Sequence, residues 1–185
     1  CQAQDITGTS VVAIRYADAI LIGADSKAVF TPINGSPTST YHCKIHILGN
    51  TLVFAYSGRI KSGGDFDVLQ IAKSARDKRG TFYGITKVFA EIAEPAIIKE
   101  MVRVSKTDPA AFSADFLNKE VLSVLFAGIQ DDILRKHKQV YSCKVIDGKI
   151  TLLINPKYCP PCNDPGHVEY LAGSNALRDS VSLDR

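Results

Sequence analysis

The chain has 185 residues, 45% of them apolar and 22% charged, and its 22 Lys and Arg against 19 Asp and Glu give a formal charge of +3. That composition supports a folded domain with a real core and excludes fibrous and disordered classes. So weak a positive bias argues against nucleic-acid binding, and no apolar run approaches the roughly 20 residues of a membrane helix.

In chain order, residues 1–8 (CQAQDITG) are short, polar and unpatterned, and read as a leader or tail. The chain starts at Cys1 rather than Met. An upstream segment is therefore expected to have been removed, by secretory or lipoprotein signal processing or by trimming, and the expected compartment leans toward secreted or periplasmic. Ser10–Tyr16 and Ala19–Ala24 are β-rich runs separated by Ala17 and Asp18, which predicts a hairpin. Residues 28–40 hold two prolines, a glycine and several Ser and Thr, and read as a loop. Tyr41–Leu48 and Thr51–Tyr56 flank Gly49-Asn50 as a second hairpin.

After Gly58 the apolar period lengthens. Phe66, Leu69, Ala72 and Ala75 predict a helix over about 62–78. A second helix is expected over about 83–104, kinked at Pro95, and Ser105–Asn118 reads as a polar connection. Strands are expected at Val121–Ile129, Gln139–Ile146, Lys149–Ile154 and His167–Ala172, with Asp147-Gly148 as a tight turn and 156–166 as a loop. Ser174 would cap a final helix. Strands, two central helices and strands again predict an α+β fold of stacked layers.

Five cysteines are an odd number and too few for a disulfide scaffold. Cys159-Pro160-Pro161-Cys162 with Cys143 and His167 is a conceivable zinc set, though one C-x-x-C is half a site and a loop disulfide or free thiols are simpler. Cys1 ranks below Thr9 as an N-terminal nucleophile, because no strand follows it. The run Arg135-Lys136-His137-Lys138 reads as a solvated hairpin tip. Thr9 opens the first strand of the hairpin and Asp25 ends the second, so antiparallel pairing brings them close. Alternation puts Lys44 on one face with His42 and His46.

Gly8-Thr9, followed by SVVAIRY and by ILIGADSK with Asp25 sixteen residues after Thr9, resembles the proteasome β-type family of N-terminal nucleophile hydrolases. Lys44 in YHCKIHILGN, the Ser57-Gly58 pair, LFAGIQDD with VYSCKVIDGKI, and Leu171-Ala172-Gly173-Ser174 continue the resemblance in order over residues 8–182. It implies an αββα four-layer sandwich, with residues 1–8 as propeptide or tail and residues 9–185 as the hydrolase domain. The family's later Asp and Ser have no counterpart before Arg185. The sandwich is therefore expected to be incomplete or shortened, with one layer needing a partner.

The resemblance also implies roles. Cleavage between Gly8 and Thr9 frees an α-amine whose ordinary pKa, near about 7.7–8.0, suits it as base for the Thr9 hydroxyl. Lys44 offsets charge developing on that oxygen, and Asp25 holds Lys44 charged and in place. The Gly58 N–H donates to the oxyanion, a contact typically worth about 3–4 kcal/mol, and Ser174 orients the amine. The expectation is a threonine-type peptidase or amidohydrolase acting on a peptide or amide, self-processed, homo-oligomeric, and needing no cofactor or metal. The alternative is a non-catalytic scaffold subunit that keeps its leader and assembles into a ring, spiral or filament.

Overall fold

The computed structural model describes residues 4–8, 10–16, 18–32, 36, 38–61, 66–159 and 168–172. Among them, two antiparallel sheets and three helices form a mixed α/β fold. The larger sheet runs β10-β9-β8-β7-β1-β4-β5, with β6 also on β7; the smaller runs β11-β2-β3. These are β1 (Gln4–Gly8), β2 (Ser10–Arg15), β3 (Ile20–Ala24), β4 (Lys27–Pro32), β5 (Thr38–Tyr41), β6 (Ile45–Ile47), β7 (Leu52–Lys61), β8 (Glu120–Gln130), β9 (Ile133–Ile146), β10 (Lys149–Cys159) and β11 (Val168–Ala172). The helices are α1 (Val68–Lys78), α2 (Phe82–Thr107) and α3 (Pro109–Asp115).

Side-chain alternation assigns the faces of the larger sheet. Leu52, Phe54 and Tyr56 on β7, with Val124 and Phe126 on β8 and Tyr141 and Cys143 on β9, pack against the helices through Ile71, Ala75, Phe89, Ala93 and Met101. Phe54, Phe89 and Phe126 meet at centroid distances of 4.9–5.6 Å. The opposite face presents Ala55 and Leu125 to Val11 and Ala13 of the smaller sheet. Each helix start is capped: Asp67 accepts from the Gln70 N–H, Thr81 from Gly84, and Asp108 from Ala111 with Pro109 opening α3. Asp147 and Gly148 both take positive φ, 50° and 73°, as a two-residue β9–β10 turn requires.

Several expectations are corrected. Residues 4–8 are not an unpatterned tail: β1 pairs antiparallel with both β4 and β7. The supposed loop 28–40 holds β4 and β5, paired Lys27↔Tyr41 to Phe30↔Thr38; Val29, Phe30, Thr38 and Thr40 are good strand formers, and Pro32 merely ends β4. Strand character continues past Gly58 to Lys61, and α1 begins only at Val68. The polar connection 105–118 is largely helix, the end of α2 and then α3. β10 extends through Pro156 to Cys159. The basic run 135–138 is no hairpin tip, since the tip is Asp131-Asp132 and both Lys136 and His137 are buried inside β9. Thr9, Ser174, Cys1, Cys162, His167 and the expected final helix lie outside the described residues.

Candidate active site

Lys44 is deeply buried, with 2% of its surface exposed. It sits in residues 42–44, which belong to neither β5 nor β6. Its Nζ lies 4.0 Å from Asp25 Oδ2, and the Asp25 side chain is 45% exposed at the end of β3. Burial pushes the Lys44 ammonium below the ordinary lysine value, and the Asp25 carboxylate offsets part of that. Asp25 thus holds the charge against a larger desolvation penalty.

Gly58 lies on β7 at φ +96°, a region that a side chain rarely tolerates. A Cβ there would also stand 2.6 Å from the Val121 carbonyl oxygen, so packing alone demands glycine. Gly8, the last residue of β1, is in register with Gly58 on one side and Ala28 on the other. Ser10 opens β2 in the other sheet, opposite Ala172 of β11. The chain therefore passes from the larger sheet to the smaller between Gly8 and Ser10, and the last residue of β11, Ala172, stands opposite Ser10. Thr9 and Ser174 themselves are outside the described residues.

The pairing is set by topology. The β2–β3 hairpin, registered from Val11↔Ala24 to Arg15↔Ile20, returns the chain so that Asp25 follows the residue opposite Val11. Ile45↔Ala55 and His46↔Phe54 lock β6 onto β7, and the Tyr56 N–H donates to the Lys44 carbonyl at 3.3 Å. Lys44 is thereby placed two residues before Gly58 along β7.

Two further groups border the site. Ser57, fully buried and opposite Ser123 of β8, has a hydroxyl that meets no hydrogen-bond partner among the described residues. Ser123 donates to Glu120 Oε1 at 2.5 Å. The second group is a polar knot at Tyr56. Nε2 of His42 and of His46 stand 3.2 and 3.0 Å from its phenol oxygen, and the phenol donates to the Cys43 carbonyl at 3.2 Å. Residues four apart on a regular strand would be too widely spaced for this. The irregular 42–44 stretch draws them together, and only the polar spacing at 42, 44 and 46 hinted at it.

The conceivable zinc set fails on geometry. Cys143 pairs with Leu152, whereas Cys159 pairs with Lys136. Seven residues of β9 separate the two positions, about 23 Å at strand rise. Cys143 is a free thiol in the core, its pKa raised by burial, and Cys43 is a free, exposed thiol. Among the described residues no group of three or more His, Cys, Asp or Glu could hold a metal ion, and no helix is long and apolar enough to cross a membrane. Comparison with protein-family models gave no match, and neither did comparison with the curated proteins.

Proposed function

We propose that the chain is the precursor of a proteasome-like threonine hydrolase that cleaves itself between Gly8 and Thr9. The observation that carries this reading is the buried Lys44 facing the exposed Asp25 near a glycine-lined crossing, where Gly8 faces Gly58 and the next described residue, Ser10, already belongs to the other sheet. A buried ammonium beside a hydroxyl stabilises the negative charge that the oxygen gains as it attacks. In the precursor Thr9 carries an amide and lacks its base. Attack of its Oγ on the Gly8 carbonyl forms an ester as the peptide nitrogen leaves with a proton, and water then releases residues 1–8. The freed α-amine serves as base for later turnovers, with the Gly58 N–H as oxyanion donor and Ser174 steadying the amine.

The position of the leader favours the same reading. β1 lies antiparallel between β4 and β7, extended, with the bond to be cut at its C-terminal end. That is how an extended peptide substrate would enter by strand addition. Helices on one face of the larger sheet and the smaller sheet on the other are compatible with three layers of an αββα sandwich. On this reading the fourth layer follows β11, and homo-oligomers form through the helices.

One observation favours the scaffold alternative. β1 is an inner strand, joined through five registered pairs to β4 and three to β7, so keeping it costs the fold nothing. The two readings part on the intact mass of the purified chain after incubation at neutral pH. Self-processing predicts loss of residues 1–8 in the parent chain, and no loss in Thr9→Ala or Lys44→Ala. A chain that keeps Cys1 in all three leaves only the scaffold.

A further inference from the structure

We propose that Tyr56 is a positioning residue that sets the separation of Lys44 from Asp25. The consequence for catalysis rests on the hydrolase reading above, but the placement itself does not. Residues 42–44 lie outside any strand ladder, so their polar backbone groups need partners from elsewhere. Tyr56 supplies two of them. Its backbone N–H donates to the Lys44 carbonyl at 3.3 Å and its phenol to the Cys43 carbonyl at 3.2 Å.

Both histidines then close on the same phenol. His46 Nε2 stands 2.9 Å from the Cys43 carbonyl oxygen, which can only accept, so that nitrogen carries the proton. With the phenol proton directed at Cys43, its oxygen is free to accept from His46 at 3.0 Å and from His42 at 3.2 Å. The His46 ring is stacked on the Tyr56 ring, with centroids 5.4 Å apart and planes 14° apart. Tyr56 is fully buried and packs against Phe54 at 5.5 Å, so it is a fixed post. His42 carries the tie across to the other partner of the ion pair: its backbone N–H donates to the carbonyl of Ser26, next in the chain after Asp25, at 2.7 Å.

The plainer reading is that a buried tyrosine simply needs a partner for its hydroxyl. Tyr141 meets that need with one, donating to Gln139 Oε1. At Tyr56 three side-chain and backbone groups from residues 42, 43 and 46 converge, around the one buried lysine that faces Asp25. The other titratable groups felt by this knot are Asp67 and Lys73, at the start of and along α1, and the Cys43 thiol beside it. Burial alone already raises the Tyr56 phenol well above its ordinary value, so it stays a neutral donor.

The test removes the hydroxyl and keeps the ring. Tyr56→Phe is made in a Thr9→Ala background, where the leader stays attached, and the Lys44 side chain is titrated by NMR. The parent should titrate below the ordinary lysine value. Tyr56→Phe should raise the midpoint by at least half a pH unit as the loosened ammonium gains water. His46→Gln, whose amide can still donate to the phenol, should move it less. If Tyr56→Phe does not fold, the His42→Ala, His46→Ala pair makes the same comparison. An unchanged Lys44 midpoint in variants that melt cooperatively overturns the proposal. With Thr9 restored, Tyr56→Phe should release residues 1–8 at least tenfold more slowly. Absence of release in every chain would count against the hydrolase reading alone, since the titration shift would still be seen.

Discussion

His137 lies at 0% exposure on β9, cross-strand from Phe126 and Tyr158, with its ring stacked on Tyr158 at 3.7 Å and 16°. Among the described residues neither ring nitrogen meets a hydrogen-bond partner. Burial lowers its pKa to about 4. The unfolded chain binds a proton near pH 6.5 while the folded one does not, so stability should fall as pH drops from about 6.5 to about 4 and level off below. Above pH 6.5 the ring is neutral in both states and this contribution is flat. A depression of that size corresponds to about 3 kcal/mol. His137→Phe keeps an aromatic ring against Tyr158 and Phe126 and removes both unpaired nitrogens. It should gain about 1–3 kcal/mol at pH 7 and lose the histidine component of the pH slope. Urea unfolding of both chains from pH 4 to pH 7.5, followed by circular dichroism, measures the difference, in which the carboxylates cancel. Parallel stability profiles across that window would refute the reasoning.

Glu100 is buried and accepts from Arg59 at 3.1 Å and from Arg103 at 2.7 and 2.9 Å, while Arg59 lies 4.3 Å over the Phe116 ring. Glu100→Ala should therefore cost about 3 kcal/mol in urea unfolding, because it leaves the largely buried Arg59 without that carboxylate; a loss under 1 kcal/mol would contradict this. Gly58→Ala meets both a positive φ and the Val121 carbonyl, and should cost about 2 kcal/mol or more and stop leader release; unchanged melting would disprove the backbone argument. Cys43→Ser should abolish a fast-reacting thiol in a native thiol-reagent assay, whereas Cys143→Ser should alter only the count seen after unfolding.

Local chemistry was legible wherever it agreed with the long-range pairing. The β-rich runs of β2 and β3, the Asp147-Gly148 turn and the apolar stripe of α2 all read directly as the elements that formed. Gly58 misled because glycine usually punctuates, whereas here its positive φ lets β7 continue past a close contact with β8. Residues 135–138 misled because charge was taken for exposure. Arg135 and His137 face the helices, and Arg135 donates to the Tyr83 hydroxyl at 2.8 Å and lies over the Tyr83 ring. β1 could not be read at all, since a polar five-residue strand is made by the two neighbours that pair with it. At the candidate site, the Asp25 position followed from hairpin logic, whereas strand alternation did not place Lys44, because residues 42–44 form no strand. The Tyr56 knot did not, because its members are ten to fourteen residues apart and meet only through an irregular stretch.

β1 is the strand through which β4 and β5 join the rest of the larger sheet among the described residues. Trimming the first eight residues would therefore do more than uncover a new chain end. It would leave two raw backbone edges facing each other across one missing strand, about 9.6 Å apart at ordinary strand spacing. Such edges seek new partners, including other copies of the same chain. A matured form would have to refill the vacancy, draw the hairpin inward, or pay in solubility, so the colloidal behaviour of the shortened chain is itself a record of what takes the leader's place.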